Sequence, residues 1–502
     1  MSEDKAEKNV ITRIDSNTQL VDVIEQYSVG AAKVYITKNG EYIIKEPPVS
    51  EEGFKVWKDM QQHLNYSLPS ETEDLEKIEL VTKHMKEEAI ESGFTDIWEK
   101  EKTHLEYYLK RDLIGYELID VIMNDPNIED ILCTSFDREI AVVHKNHHEH
   151  VLLKTNVKFG TAEKLDRFIQ RTAQKFGTSP TTSHPIVYLS SPKNDRFTFT
   201  WEKEISLPGS TFAIRKFPEN PFTITHLLEK GSLSLLAAAY MWIMLDAKSF
   251  GLIVGETGSG KTTAINALIC MSNPRWHILT IEDTRELRIP HYWNENLVTR
   301  ISPSLGGGSG KTRFDIDIMD IGKLAMRKRP DFVIVGESRG EETRQLFQVA
   351  ATGTGGLTSF HASGPVTALS RLESEPINVK MSQQMILWYI MHLTWIRVKG
   401  KISRRMMSIT EIVPKKDSIE LLEVFSYNEK EDKHYPETPD ELIEKSKKLA
   451  YAERILGIED LKKDIDLRIS FLQKCLDEKA YDVKVVFDIL SSYYNVKNPM
   501  YS

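Results

Sequence analysis

Cysteine is scarce in this sequence. Three residues of this type, Cys133, Cys270 and Cys475, occur among 502 positions, and they lie far apart. An odd number at this spacing gives neither a disulfide framework nor a zinc-binding pattern. We therefore expect each cysteine to be a small, buried apolar residue in a protein of a reducing compartment.

Long hydrophobic runs are also absent. The most apolar stretch is "LSLLAAAYMWIML", Leu233 to Leu245, and the N-terminus "MSEDKAEKNV" has no apolar core of the kind found in signal peptides. Thirteen helical residues rise about 20 Å, well short of a hydrocarbon core of about 30 Å. The stretch therefore predicts a buried helix in a cytosolic protein, and any association with a membrane has to come through a partner.

The sequence also has no excess of positive charge. The formal net charge is −9, with 40% apolar and 28% charged residues, which is ordinary for a globular protein. Net acidity makes a dedicated nucleic-acid binder an unfavoured interpretation. The length of the chain predicts two or three domains.

Composition and periodicity divide the chain into four predicted parts. The proline-bearing stretch "PENPFTIT" marks the linker, and helix and strand signals alternate after it, which favours a parallel sheet with crossover helices. The predicted parts are a variable N-terminal segment over 1–70, an α+β domain over 71–220, an α/β domain over 221–430 and a charged helical extension over 431–502.

The stretch "GETGSGKTTA", residues 255–264, fits the template of a phosphate-binding loop. Such a loop needs a buried strand before it, glycines that turn N–H groups toward phosphate, and a helix that starts at Lys-Thr. "FGLIV" and "TTAINALIC" supply the strand and the helix. We expect Lys261 to neutralise the β- and γ-phosphates of ATP and the Thr262 hydroxyl to ligate Mg²⁺. The predicted ATP-binding residues are Gly255, Glu256, Thr257, Gly258, Ser259, Gly260, Lys261, Thr262 and Thr263.

A second "GSGKT" lies in "GGGSGKTRF", residues 306–314, but its context differs. The template glycine falls on Leu305, Pro303 interrupts any preceding strand, and the "RFDID" that follows is a poor helix start. We interpret this stretch as a surface loop or hairpin tip. The alternative is a basic loop that contacts a neighbouring subunit or partner. Either interpretation leaves one nucleotide site.

Two further apolar runs end in carboxylates. "DFVIVGE", residues 331–337, ends at Glu337, where a second phosphate-side strand places its acid near the Mg²⁺ water shell. "HILTIEDTRE", residues 277–286, ends with three acids. One of Glu282, Asp283 and Glu286 could polarise the attacking water; the alternative is a solvated strand cap.

Four motifs in order make the chain similar to a known family. They are the Walker A loop "GETGSGKTT", the aspartate box "TIEDTRE", the Walker B segment "RPDFVIVGESRGEE" and the histidine box "TGTGGLTSFHASG". The chain resembles the secretion ATPases of type II and type IV secretion, type IV pili and archaella. The resemblance covers roughly 110–425. It favours the archaeal branch, in part because the zinc-binding cysteine pairs of many bacterial members are absent.

The resemblance implies roles for particular acids. Glu286 takes the position of the catalytic glutamate. Glu337 takes the Walker B position and coordinates Mg²⁺ through water. His361 takes the histidine-box position, which couples the γ-phosphate state to domain movement.

The resemblance also implies arginines from the N-terminal domain that approach the phosphates. Arg196 in "NDRFTF" and Arg215 in "IRKF" are the candidates, with surface ion pairs as the alternative. Arg327 and Arg329 in "RKRP" are candidate subunit-interface residues.

The predicted fold is therefore α/β, a RecA-like P-loop ATPase domain preceded by an α+β N-terminal domain, with ATP between the two. The resemblance implies a cytosolic homohexamer, peripheral at the membrane through a polytopic platform protein, that uses ATP to assemble pilin-like subunits into a pilus or archaellum. The alternative is a DNA-translocating or conjugation-type hexameric ATPase or helicase, marked by a basic channel. A third possibility is a scaffold that binds ATP without turnover, against which the intact Lys261, Thr262, Glu286 and Glu337 argue.

Three other features have plainer interpretations. The histidines of "HKNHHEH", residues 144–150, predict a solvated turn, because no further ligands complete a metal site. "LWYIMHLTWI", residues 387–396, predicts a buried core strand; the alternative is an aromatic patch that binds a partner. We expect the ending "FDILSSYYNVKNPMYS" to be loose.

Overall fold

A computed structural model describes residues 20–67, 83, 85–87, 89–91, 93–147, 149–217, 220–300, 316–338, 340, 342–398, 400–416 and 418–497. The chain forms two compact units, residues 1–218 and 219–502. Their boundary falls at the start of the proline-bearing stretch 218–225.

The N-terminal unit is built on one mixed sheet. Nine strands make up this sheet in the described part of the unit, in the order β1-β2-β3-β6-β5-β4-β9-β8-β7. The strands are β1 (Val23–Val29), β2 (Ala32–Thr37), β3 (Glu41–Lys45), β4 (Ile128–Cys133), β5 (Ala141–His144), β6 (Leu153–Thr155), β7 (Ile186–Ser190), β8 (Arg196–Thr200) and β9 (Thr211–Arg215). Strand β3 pairs with β6 through Tyr42 and Thr155, so residues 23–45 continue the sheet of residues 128–215.

Helices cover this sheet and form a second, smaller core. They are α1 (Glu51–Ser67), α2 (Thr95–Leu109), α3 (Asp120–Asn124) and α4 (Ala162–Lys175), with a π-helical turn at Lys110–Ile114 and a 3₁₀ turn at Glu117–Ile119. Helix α4 is amphipathic, and it packs Phe168 against Phe159 and Phe212 of the sheet core. Trp57 of α1 and Trp98 of α2 lie in the separate cluster.

The C-terminal unit also has one large sheet, with the order β12-β11-β13-β14-β10-β15-β16-β17-β18. The strands are β10 (Phe250–Gly255), β11 (Ile278–Glu282), β12 (Asn294–Val298), β13 (Phe332–Ser338), β14 (Gly355–His361), β15 (Tyr389–Val398), β16 (Lys401–Pro414), β17 (Ile419–Asn428) and β18 (Lys433–Tyr435). The pairs from β12 to β15 are parallel and those from β15 to β18 antiparallel. The two mixed α/β units confirm the predicted fold class.

Helices flank both faces of this sheet, as crossover connections require. They are α5 (Ile224–Glu229), α6 (Leu235–Asp246), α7 (Lys261–Ile269), α8 (Ile318–Lys328), α9 (Glu342–Ala351), α10 (Pro365–Glu373), α11 (Met381–Gln384), α12 (Pro439–Lys445), α13 (Lys447–Leu456), α14 (Leu461–Asp477) and α15 (Val483–Lys497). No helix in these described segments is both long enough and apolar enough to cross a membrane.

Helix α6 is the predicted buried helix, and every residue from Leu236 to Leu245 is buried. A helix that is apolar all round needs neighbours on all sides. Its core includes sheet residues such as Ile253 and C-terminal residues such as Leu472 and Leu490. The C-terminal helices are therefore an integral layer of this unit.

Three expectations about local structure were wrong in part. His144 is fully buried at the end of β5 and lies 3.1 Å from the Tyr27 hydroxyl, because β1 covers this end of the hairpin. The ending is helical through Lys497, with Tyr493 buried. In 387–396 the core-strand prediction holds for Tyr389 but fails for Trp395, whose side chain is 47% exposed because the hairpin runs on past the core.

Candidate nucleotide-binding and catalytic site

The phosphate-loop candidate follows strand β10, whose residues are all buried. Glu256, Thr257 and Gly258 emerge into solvent, Ser259 is buried, and α7 begins at Lys261. Strand, loop and helix therefore occur in the order that a phosphate-binding loop requires.

The loop glycines are required for two different reasons. A Cβ at Gly255 would lie 2.2 Å from the carbonyl oxygen of Leu393 and 2.5 Å from Ser259 Oγ, so no side chain fits there. Gly258 and Gly260 have φ angles of +78° and +93°, in the left-handed region that glycine adopts at no steric cost. A backbone of this kind can turn successive N–H groups toward one anion.

The side chain of Lys261 lies along the loop. Its Nζ donates hydrogen bonds to the carbonyl oxygens of Gly255 at 3.0 Å and Glu256 at 2.9 Å. Thr262 and Thr263 are half-buried in the first turn of α7. The ammonium and the threonine hydroxyl thus lie at a helix N-terminus, where backbone N–H groups favour a bound anion.

A histidine also borders the loop. His392 on β15 is paired in register with Val254 of β10. Burial lowers the pKa of His392, and the charge of Glu256 only partly opposes this effect. A neutral imidazole therefore lies beside the phosphate loop near neutral pH.

The remaining candidates lie along the carboxyl edge of the same sheet. Gly255 of β10 is in register with His361 of β14, and β14 pairs with β13, which carries Glu337. Strand β13 pairs in turn with β11, which ends at Glu282. The sheet thus brings the loop, the histidine and the acids into one row.

Glu337 and His361 are in direct contact through their side chains. Nε2 of His361 lies 2.5 Å from Oε1 of Glu337, and both side chains are 30% exposed. Arg371 of α10 donates to the carbonyl oxygen of His361. The histidine box is therefore in direct contact with the Walker B candidate.

Glu282 is a buried acid that shapes the aspartate box. Its Oε1 accepts the N–H groups of Glu286 at 2.8 Å and Leu287 at 3.0 Å. A Cβ at Gly336 would lie 3.1 Å from Glu282 Cγ, so the glycine before Glu337 leaves room for this side chain. Because Glu282 is turned inward to hold the loop, it is a poor candidate for polarising water.

Glu286 is half-buried, and its backbone is held by Asn266 as well as by Glu282. The amide of Asn266 in α7 donates to the Glu286 carbonyl oxygen at 3.2 Å and accepts the N–H of Arg288 at 2.9 Å. Two hydrogen bonds thus connect the helix that starts at the phosphate loop to the turn that carries Glu286.

The arginine candidates of the N-terminal unit lie side by side. Arg196 of β8 and Arg215 of β9 occupy the same register position. Nε of Arg215 donates to Asp130 of β4 at 2.8 Å.

The candidate subunit-interface residues Arg327 and Arg329 are exposed at the end of α8. The second "GSGKT", with Lys311, lies outside the described residues.

These residues fit a nucleotide and its magnesium ion. The loop offers glycines that free its N–H groups, a cation at Lys261 and a hydroxyl at Thr262, and Glu337 lies two strands away. The donors thus suit Mg²⁺ bound by a hydroxyl, water and phosphate.

A family model described as "Type II/IV secretion system protein" matches residues 120–413, more than half of the chain. The chain belongs to this family. The resemblance carried by the four motifs is thereby confirmed.

Relatives of this secretion-family chain occur in archaea and bacteria. The uncharacterized protein MJ0900 of Methanocaldococcus jannaschii is 30% identical over 398 residues, which are 79% of this chain and 70% of that protein. A putative conjugal transfer protein of Mycobacterium tuberculosis, Rv3659c, is 26% identical over 53% of this chain and 74% of its own length. Among solved structures, the ATPase DotB of Legionella pneumophila has a TM-score of 0.41 at 14% identity, over 76% of this chain and 96% of DotB.

Two residues of the candidate site were not predicted from the sequence. Asn266 lies inside an ordinary helix, and nothing in "TTAINALIC" distinguishes its amide from a solvent-facing one. Arg404 of β16 donates from Nε to the carbonyl oxygen of Gly258 at 2.9 Å. It is distant from the motif in sequence, and only the pairing of β16 with β15 brings it to the loop.

Proposed function

We propose that this protein is an ATP hydrolase that works as a homohexamer. The observation that carries the proposal is the order of groups along the carboxyl edge of the sheet. The phosphate loop comes first, then the contact between His361 and Glu337, then the turn with Glu286, whose backbone N–H is bound by Glu282. A phosphate cradle beside acids at the carboxyl ends of parallel strands suits phosphoryl transfer to water.

In this proposal each residue acts on the charge or the geometry of the reaction. Lys261 and the loop N–H groups neutralise the terminal phosphates, and Glu286 orients the attacking water. The Thr262 hydroxyl and, through water, Glu337 hold Mg²⁺, which supplies charge neutralisation at the phosphate oxygens when bound. His361 senses the occupancy of the site through its contact with Glu337.

The N-terminal unit would complete the cycle. We propose that Arg196 and Arg215 approach the phosphates, and that opening and closing of the two units around ATP is the work step. Their common register position supports a joint role for the two guanidinium groups.

The work would be done on a membrane machine from the cytosolic side. We propose that the hexamer is peripheral at the membrane, acts on a polytopic platform protein, and so drives assembly of pilin-like subunits into a pilus or archaellum. Membership of the type II/IV secretion family supports work in a machine of this class, and the similarity to an archaeal relative supports the archaeal branch. Similarity to a putative conjugal transfer protein keeps DNA translocation as the second candidate.

Steady-state ATP hydrolysis with Mg²⁺ tests the proposal. Wild type is compared with Lys261→Ala, with Glu286→Gln and with Lys311→Ala, the same change in the second "GSGKT"; each is repeated with single-stranded DNA. We expect the first two variants to lose turnover, Lys311→Ala to keep most of it, and DNA to have no effect. Loss of turnover in Lys311→Ala would contradict the single-site interpretation, and strong stimulation by DNA would favour the translocase.

A further inference from the structure

The hairpin of β15 and β16 lies on the side of the phosphate loop away from the acids. The sheet order places β14, β13 and β11, with His361, Glu337 and Glu282, on one side of β10, and β15 and β16 on the other. A nucleotide whose terminal phosphate faces the acids must extend its other end toward the opposite side. The proposed function therefore points the ribose and the base toward this hairpin.

The hairpin contacts the loop directly. The carbonyl oxygen of Leu393 fills the space that a side chain at Gly255 would need. Arg404 donates to the carbonyl oxygen of Gly258 at 2.9 Å, and its Cδ lies 3.3 Å from where a Cβ of Gly260 would be. The guanidinium is thus fixed at the loop although the side chain is exposed.

Trp395 lies next to this arginine. Strand β15 pairs with β16 so that Trp395 is directly opposite Arg404. Directly opposite residues of an antiparallel pair share one face, with Cβ atoms about 5 Å apart. The indole therefore lies on the same face as Arg404, which reaches the loop, and Trp395 is 47% exposed.

Building on the proposed function, we propose that Trp395 and Arg404 form the nucleobase subsite. An exposed indole offers a flat surface on which a purine stacks, and a guanidinium adds a second planar, cationic group. Stacking of a base on an aromatic ring tolerates any base, because every base has such a face. The subsite accordingly takes purine nucleoside triphosphates with little discrimination between adenine and guanine.

The test separates binding of the base from binding of the phosphates. ATP hydrolysis is measured for wild type, Trp395→Ala and Trp395→Phe, and inhibition of that hydrolysis is measured with inorganic tripolyphosphate, which has no base. The matched control is Trp293→Ala, which removes a tryptophan that is 60% exposed in the loop before β12. GTP is the second substrate.

We expect Trp395→Ala to raise the KM for ATP and for GTP about five- to a hundredfold, more than kcat falls. The inhibition constant of tripolyphosphate should stay within about twofold, since the phosphate loop keeps its contacts. Trp395→Phe should recover most of the loss, and Trp293→Ala should behave as wild type.

Three results would overturn the inference. One is an unchanged KM for ATP in Trp395→Ala, and a second is an equal weakening of ATP and tripolyphosphate, which indicates a damaged loop. The third is a raised KM that comes with a loss of the oligomer on gel filtration, which makes Trp395 a subunit contact. A wild-type protein that shows no Lys261-dependent hydrolysis would instead contradict the proposed function itself.

Discussion

The side-chain amide of Asn266 holds the backbone of the turn that carries Glu286: it donates to the Glu286 carbonyl oxygen at 3.2 Å and accepts the Arg288 N–H at 2.9 Å. Asn266 lies one and a half turns into α7, the helix that starts at Lys261. A displacement of α7 is therefore passed directly to the turn that carries the proposed catalytic glutamate.

We predict that Asn266→Ala lowers kcat for ATP about ten- to a hundredfold and changes KM much less, because a misplaced catalytic group costs rate more than substrate affinity. The measurement is steady-state hydrolysis. The control is Asn124→Ala, an exposed asparagine whose amide also donates to a backbone carbonyl. Equal effects on kcat and KM, or no effect on either, would show that the two hydrogen bonds of Asn266 do not position Glu286.

Much of the site could be predicted because its chemistry is local in sequence. A phosphate loop needs its strand, glycines and helix in one continuous stretch, so "FGLIVGETGSGKTTA" is sufficient to indicate it. The acids at 282–286 and 337 follow apolar runs, and the strands end where those runs end. The family and the fold class were predicted from these stretches and are confirmed; the roles of individual residues stay predictions.

What could not be predicted depends on tertiary pairing. Arg404 reaches the loop only because β16 folds back on β15, and Trp395 is exposed only because that hairpin extends past the core. The end of the final helix, α15, was not predicted for a different reason. Val486, Leu490 and Tyr493 repeat at helical spacing, but the serines and tyrosines between them weaken the signal, and the partners that bury the stripe lie in α6 and α14.

The close approach at Gly255 gives a second prediction. A methyl group at Gly255 would lie 2.2 Å from the carbonyl oxygen of Leu393, which cannot shift unless β15 moves. At Gly258 nothing lies within 4 Å of the added methyl group, so the only cost in free energy comes from the left-handed φ. We expect Gly255→Ala to lower the free energy of unfolding by at least about 2 kcal/mol and to abolish nucleotide binding. Gly258→Ala should cost about 1 kcal/mol. Urea denaturation and binding of a fluorescent ATP analogue check both, and equal costs for the two variants would contradict the steric argument.

The C-terminal helices are attached through a buried charge cluster, which gives a third prediction. Arg468 of α14 is 2% exposed and lies 2.7 Å from Asp246 of α6 and 2.9 Å from Asp464. Removing it takes the cation from the buried carboxylate of Asp246 and leaves Asp464 with Lys497. We expect Arg468→Ala to lower the free energy of unfolding by about 3–5 kcal/mol.

The control for this change is Lys463→Ala, in the same helix. Its ammonium is 85% exposed and lies 2.9 Å from Asp460, so its loss should cost less than about 1 kcal/mol. Urea denaturation followed by circular dichroism measures both variants. A cost for Arg468→Ala as small as that of the control would mean that α14 is not held by this cluster.

A buried histidine gives the fourth prediction, which concerns acid stability. His291 is 1% exposed, lies 3.1 Å from Ser272 Oγ and packs on Phe487 of α15. Burial lowers the pKa of His291 to about 4, and backbone groups of Ser272 and Asn273 oppose this only partly. The folded protein therefore keeps the ring neutral, while the unfolded chain binds a proton below about pH 6.5.

Stability from this group is accordingly complete above about pH 6.5 and is lost as the pH falls toward 4, with about 2 kcal/mol gone at pH 5. We expect the drop in the free energy of unfolding between pH 7 and pH 5 to be about 2 kcal/mol smaller in His291→Gln than in wild type. His184→Gln, a change at an exposed histidine, is the control and should keep the full drop. His434, whose pKa burial also lowers to about 4, leaves a residual drop in every variant. If His291→Gln and wild type lose the same stability over this interval, then the ring is already protonated in the folded protein, and the packing of α15 against it does not depend on a neutral imidazole.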